Sequence, residues 1–365
     1  MGKRGGISLP PKNLQAIHLS LSQRGGRFGV LKHSVLSICD NVLAMPRKPK
    51  TDQARLPKKR RAKTPPRFML TDRDVELVRA ILKYRFLQVS QFEWLFPDAS
   101  RRGMENRLRY LYHSKYLDRI VYPEATHANR LIYAMAEKGA KLLAEKDQVS
   151  RDKVPWGRHL NKVSLSHIRH LLAINDVLIS YALALEDAKA NRLVSDFRVV
   201  KGDASSHKIA VILKDDAGKR YEAAIVPDAV LGIKFKSGEF GLFFIEVDRA
   251  TMTTERWQDK IRVYYDYARS PELRSKFQTE WFIVLTVTTS EKRITSLSER
   301  TVAMGGKRAF WYTAGDSITP GMCLERIWAK ASDLFSGQGD DTKRVVSYSQ
   351  VSKSDIFDAV GGKRG

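Results

Sequence analysis

Leu242-Phe243-Phe244-Ile245-Glu246-Val247-Asp248 reads as a buried strand that ends in two carboxylates. A short apolar run rich in phenylalanine and β-branched residues favours strand over helix. Strand side chains alternate faces, so Glu246 and Asp248 share one face with Leu242 and Phe244. Burying an unpaired charge is expensive, so carboxylates in this setting call for a cation. Upstream, Tyr221–Pro227 reads as another strand, closed by Asp228. Downstream, Thr254–Arg269 reads as a helix that carries Lys260 about 60° from Trp257, at the border of its apolar side. If the two strands pair, Asp228, Glu246 and Asp248 converge on one divalent metal, Mg²⁺ or Mn²⁺, ions that take oxygen ligands and keep several waters. Such an ion polarises a phosphodiester oxygen and activates a bound water. Lys260 would then stabilise the charge that develops on phosphorus.

Around this centre the sequence predicts a long helix over Ser166–Leu185 and strands at Arg192–Val200, Ile209–Leu213 and Trp281–Thr288. A further helix fits Ser290–Val302, with a last strand at Ala309–Thr313. Asp215-Asp216-Ala217-Gly218-Lys219 has hairpin-turn chemistry. This mixed order implies an α+β or α/β domain with a central sheet and flanking helices over residues 161–333. A linker at 148–160 precedes it, and a polar, flexible tail at 334–365 follows it.

Residues 68–147 read as a separate module of three helices and a hairpin, the order of a winged helix-turn-helix. Thr71 is a helix N-cap, and Ser100 caps a third helix that runs to about Tyr116. On that helix Met104, Leu108, Leu111 and Tyr112 face inward. Arg102, Asn106, Arg109 and His113 form the opposite stripe, preceded by Arg101. Arginine and asparagine are the side chains that read guanine and adenine edges in a major groove. Arg119–Tyr122 and Arg130–Tyr133 flank a polar turn and resemble a β-hairpin wing, with Arg130 a candidate DNA-binding residue. A closing helix fits Glu137–Glu145.

The charge agrees with a polyanionic partner. The chain has 365 residues and a net charge of +24. Residues 1–67 hold 16 lysines and arginines against Asp40 and Asp52, so +14 of that charge lies in a segment expected to be a disordered arm. Its densest part carries Lys58, Lys59, Arg60 and Arg61, a pattern suited to phosphate contacts. Met45 resembles a natural start, which makes residues 1–44 a candidate extension. No signal peptide or membrane span is expected, and Cys39 and Cys323 form no framework; the expected location is cytoplasmic.

The strings Pro227-Asp228-Ala229, Phe244-Ile245-Glu246-Val247-Asp248-Arg249-Ala250-Thr251, Lys260 and Tyr264-Tyr265 resemble the replication-relaxation family of plasmid and mobile-element proteins. The chain is also similar to the MobC class of plasmid relaxases. The resemblance covers roughly residues 70–315. It implies a winged helix joined to a restriction-endonuclease-like PD-(D/E)xK domain. It further implies action on double-stranded DNA at a plasmid origin or repeat, with relaxosome or replication proteins as partners and a homodimer as one arrangement. The standard pattern places lysine two residues after the glutamate. Here Asp248 holds that position, and Lys260 on the next helix is the candidate replacement. Asp248 paired with Arg249 as a structural ion pair is the alternative.

Other groups are read as structural. Glu222 fits an exposed strand position. His159, His167 and His170 fit capping or core roles, and Tyr264, Tyr265 and Tyr267 fit a helix core.

Overall fold

The computed structural model describes residues 56–57, 60–121, 131–214, 217–336, 344–345 and 347–360. Thr71 caps α1 (Asp72–Tyr84) as the sequence predicts, and the Asp74 carboxylate accepts from the Thr71 N–H at 2.8 Å. Three residues of extended chain, β1 (Phe86–Gln88), separate α1 from α2 (Val89–Leu95). Ser100 then caps α3 (Arg101–His113), its Oγ accepting from Gly103 N at 3.2 Å. β2 (Leu117–Val121) and β3 (Leu131–Met135) follow, and α4 (Glu137–Lys146) closes the unit. The strands form an antiparallel sheet in the order β1-β3-β2. β1 has no counterpart in the expectation, because three residues carry no readable alternation. The predicted wing turn, with Arg130, lies outside the described residues.

α5 (Leu165–Ala190) runs one turn beyond its expected end. It joins the first unit to the second: Asn175 Nδ2 donates to the backbone oxygens of Tyr84 (3.1 Å) and Phe86 (2.7 Å). Gln91 Nε2 reaches the Leu172 carbonyl and the Asp176 carboxylate, both at 2.8 Å. One apolar cluster accordingly runs from α1 through α5 into the sheet beyond. By length and composition α5 would cross a membrane, yet most of its apolar window is buried inside the protein, as expected of a core helix.

After α5 come β4 (Val194–Lys201), the single turn α6 (Ala204–His207), β5 (Ile209–Lys214) and β6 (Arg220–Ile225). β7 (Ala229–Phe235), β8 (Phe240–Asp248), α7 (Thr254–Ala268) and α8 (Pro271–Phe277) follow. The remaining elements are β9 (Ile283–Thr288), α9 (Glu291–Ala303), β10 (Phe310–Ala314) and β11 (Ala329–Lys330). Six strands form one mixed sheet, β11-β10-β9-β8-β7-β4. β8, β9 and β10 are parallel, and the β4–β7, β7–β8 and β10–β11 pairs are antiparallel.

Two expectations are corrected here. β5 and β6 form their own two-stranded ribbon, so the segment upstream of Asp228 is not the neighbour of β8. The neighbour is β7, which starts just after Asp228. Its run Ala229-Val230-Leu231-Gly232-Ile233-Lys234-Phe235 contains a glycine that disguises the strand; a Cβ at Gly232 would meet the Phe240 ring at 3.2 Å. The expected flexible tail is also partly ordered. Residues 347–360 pack onto the sheet domain, with Tyr348, Ile356 and Phe357 buried and Phe357 edge-on to Phe235 at 5.5 Å. Short apolar anchors in a polar background carry too little periodicity to be read.

The 148–160 segment is likewise strapped down. Arg151 bonds the Glu137 carboxylate and the Trp156 carbonyl, and Val154 is buried.

The α2–α5 contact carries a titratable group. Burial raises the Asp176 carboxyl to about 6, against a lowering hydrogen bond from Gln91. The folded form therefore binds the proton more tightly than the unfolded chain, and stability falls as pH rises through about 6. Asp176→Asn keeps an acceptor for Gln91 without the charge. It is expected to raise the melting temperature by a few degrees at pH 8 and to converge with wild type by about pH 4. Thermal scans across that range check this.

Candidate active site

Antiparallel pairing of β7 and β8 sets the start of one beside the end of the other, with Ala229 opposite Ile245. Asp228 thereby reaches across, and its Oδ2 accepts from Val247 N at 2.8 Å. On its other side Gly202 N donates to the Asp228 carbonyl at 2.9 Å. A Cβ at Gly202 would fall 1.6 Å from the Pro227 carbonyl oxygen, so only glycine admits this approach. Asp228 Oδ1 lies 3.0 Å from His170 Nε2, which comes from the N-terminal half of α5.

Glu246 has no solvent exposure. Alternation along β8 points it, with Leu242 and Phe244, at the face covered by α7. There Lys260 Nζ donates to Oε2 at 2.5 Å and the Tyr264 hydroxyl donates to Oε1 at 2.7 Å. Lys260 and Tyr264 are one helical turn apart, so α7 presents both donors to the two oxygens of one carboxylate. Burial pushes the Glu246 carboxyl up, with Lys260 opposing and the Asp228 charge adding to it. Burial pulls Lys260 down, but the Glu246 and Asp228 carboxylates outweigh it and hold the ammonium above the usual lysine range. Burial, then Glu246, raises Tyr264 well above its ordinary value, so its hydroxyl keeps the proton it donates.

Asp248 does not join this group. It shares the face of Glu246, but Arg293 Nε from α9 binds its Oδ2 at 2.5 Å, and Thr288 Oγ1 stands 3.4 Å away. Arg293 also donates to the Met252 carbonyl at 2.7 Å. The Asp248–Arg249 pairing is not formed: Arg249 lies on the opposite face of the chain and donates to the Arg169 carbonyl at 3.2 Å. Among the described residues no group of three or more His, Cys, Asp or Glu side chains gathers to hold a metal. The expected trio is therefore not assembled: Asp248 is bound to Arg293, while Asp228 and Glu246 are near enough for their charges to interact. Glu222 is exposed on the β6 ribbon and pairs with Lys208 at 3.2 Å.

The α3 stripe is only partly presented. Arg102 is exposed, and half-buried Arg109 donates to Asn106 Oδ1 at 2.7 Å. Arg101 is exposed between Glu93 and Glu105, 3.3 Å from each. His113 is fully buried and its Nδ1 accepts from Ala62 N at 3.0 Å, so it leaves the stripe. The reason is the crossing chain: Arg61 donates to Asp118 at 2.5 Å and to the Leu117 carbonyl at 2.9 Å, and stacks over the Tyr112 ring. Arg61 therefore ties the chain at that point to α3 and β2. Arg60 is exposed. Lys58 and Lys59 lie outside the described residues.

Two partners escaped the sequence reading. Tyr264 reads from the sequence as a helix-core residue, although its four-residue spacing from Lys260 signals a shared target. His170 meets Asp228 through a fold-level crossing of α5 that no local pattern encodes.

The buried pair makes a thermodynamic expectation. Lys260→Met leaves the Glu246 carboxylate buried without its cation, a loss of about 3–5 kcal/mol. The loss should be larger at pH 8 than at pH 5, because protonating Glu246 removes the stranded charge. Glu246→Gln combined with Lys260→Met should recover much of it. Urea midpoints at the two pH values, compared across the three proteins, measure this.

A family model described as replication-relaxation matches residues 78–278, more than half of the chain, and that span includes Asp228, Glu246, Lys260, Tyr264 and His170. A search among curated proteins finds no significant match.

Proposed function

The chain belongs to the replication-relaxation family, and from that premise we propose that it binds plasmid or mobile-element DNA and nicks it at Asp228, Glu246 and Lys260. One observation carries the reading. Two carboxylates from the ends of adjacent central strands and a lysine held in its charged form lie within electrostatic reach of one another at one end of a mixed sheet. In this reading the first unit is a winged helix whose α3 face, Arg102, Asn106 and Arg109, contacts double-stranded DNA at an origin or repeat. The sheet unit is a PD-(D/E)xK-type domain in which Lys260 has taken over from the position Asp248 occupies. The cytoplasm is the compartment where plasmid DNA meets such a protein, and relaxosome or replication proteins are its natural company.

The donor set fits a magnesium- or manganese-type ion. Such ions are commonly held by one or two carboxylates and complete their shell with water and substrate phosphate oxygens. Asp228 and Glu246 would hold it. When bound it supplies charge stabilisation at the phosphodiester and a more acidic water.

The residues of the chain do the rest. Tyr264 and Lys260 fix the rotamer of Glu246. Val247 N and His170 fix Asp228. The Lys260 ammonium is placed to share negative charge that builds on a phosphoryl oxygen. Arg293 neutralises Asp248, so that a third carboxylate does not add repulsion against the phosphate.

One observation favours a second reading, a non-catalytic accessory or regulator. Glu246 is wholly buried and both its oxygens already have donors, an arrangement a structural ion pair would share.

Relaxation of supercoiled plasmid by the full chain decides between them. Nicking should require Mg²⁺ or Mn²⁺ and fall at least about 100-fold in Asp228→Ala and in Glu246→Gln. Sequence-selective binding without cleavage in any metal would establish the accessory role. Arg109→Ala should relax that selectivity under both readings, by about 1–3 kcal/mol at the contacted base.

A further inference from the structure

Around Asp228, on the α5 face of the sheet, cations outnumber carboxylates. Lys201 is the last residue of β4 and stands in register with Ala229, next to Asp228. Its side chain is exposed. Arg249 follows β8 directly and reaches the Arg169 carbonyl of α5 at 3.2 Å. Arg85 closes α1, with its Nε on the Leu160 carbonyl at 3.2 Å. Its backbone is pinned to α5 by the bonds from Asn175 to Tyr84 and Phe86 on either side. His167 lies in the first turn of the same helix, exposed, one turn before the His170 that meets Asp228.

Among the described residues no salt bridge joins Arg85, Lys201 or Arg249 to a carboxylate, and the polar contacts of Arg85 and Arg249 go to backbone oxygens. Arg85, Lys201 and His167 also feel one another, and Arg249 feels Arg169 on α5. Packing, then the Arg85 guanidinium, pulls Lys201 below the usual lysine range, and only Asp228 opposes. Packing, then Arg85, Lys201 and His170, lowers His167. A fold that holds like charges together gains by accepting an anion between them. The positive end of the α5 dipole adds to the same field.

We propose that Arg85, His167, Lys201 and Arg249 form a phosphate cradle that holds the DNA backbone beside Asp228. The cradle draws on both units, since Arg85 comes from the end of α1 while Lys201 and Arg249 end sheet strands. A strand gripped there has its neighbouring phosphodiester delivered to the Asp228 and Glu246 edge. The cradle rests on the DNA-processing reading above and specifies how that site takes its substrate.

The test is equilibrium binding of a fluorescent DNA duplex and its single strand to the full-length protein. Binding is measured by anisotropy in EDTA, at several salt concentrations. EDTA removes any metal bridge between carboxylate and phosphate, so the cations are read alone. Lys201→Ala and Arg249→Ala should each lower the slope of log K against log salt by about one and weaken binding about three- to tenfold at low salt. Lys201→Arg should restore the slope. Lys236→Ala serves as the charge control. Lys236 is exposed just past the far end of β7, roughly 26 Å along the strand from Asp228, and its loss should leave the slope unchanged. Circular dichroism and melting temperature confirm that each variant is folded.

If wild type binds and both alanine variants keep its slope and affinity, the cradle is wrong while the DNA-processing reading stands. If Lys236→Ala lowers the slope as much as they do, the effect is one of net charge and the cradle is equally wrong. If wild type binds neither DNA form, the reading and the cradle fall together.

Discussion

A carboxylate with no access to water, Glu246, sets the terms for the sheet domain. Its charge is tolerable only because α7 supplies an ammonium and a hydroxyl to its two oxygens. That requirement fixes the register of α7 over the sheet, since Lys260 and Tyr264 must both reach one side chain. The same helix face sinks Trp257, Ile261 and Tyr264 into the aromatic cluster with Phe244 and Phe310. Apolar packing thus supplies the energy, and the buried ion pair selects which packing is used.

Much of this was legible because it is written in short-range patterns. The β8 run, its alternating face and the amphipathic α7 gave Glu246 and Lys260 their places. Helix caps at Thr71 and Ser100 set the start of α1 and α3. What escaped was set by long-range pairing. Asp228 lies at the start of β7 rather than the end of the preceding ribbon, and Gly232 hid that strand. Arg293 and His170 meet Asp248 and Asp228 across sequence separations of 45 and 58 residues. Neither periodicity nor composition reports such a crossing. Buried His113 shows the converse failure: helical spacing assigned it to the outer stripe, and the crossing of Arg61 and Ala62 covered it.

α5 is the element through which the first unit and the sheet act on each other. Asn175 and Asp176 face α1, β1 and α2, while His170, about one and a half turns earlier, faces Asp228. A displacement of α5 together with the first unit would therefore carry His170, the partner of Asp228, with it. The continuous apolar cluster beneath makes such a shift a rigid displacement rather than a local flexing, because close-packed cores transmit strain.

The electrostatics of the site follow from how its acids are partnered. Glu246 has Lys260, Asp248 has Arg293 and Asp228 has His170 at hydrogen-bond distance. Glu246 and Asp248 are each matched at contact distance by a cation, while the Asp228 charge is still felt by Glu246, Lys260 and Lys201. What an approaching polyanion meets is the remainder: Lys201, Arg249 and Arg85 without carboxylate partners among the described residues, on a chain of net charge +24. An acidic centre that would repel phosphate by itself can in this way sit inside a surface that attracts it. In the proposed DNA-processing reading, binding and chemistry then fall to separate residues: exposed Lys201 with half-buried Arg85 and Arg249 for the backbone, and buried pairs for the position of the carboxylates.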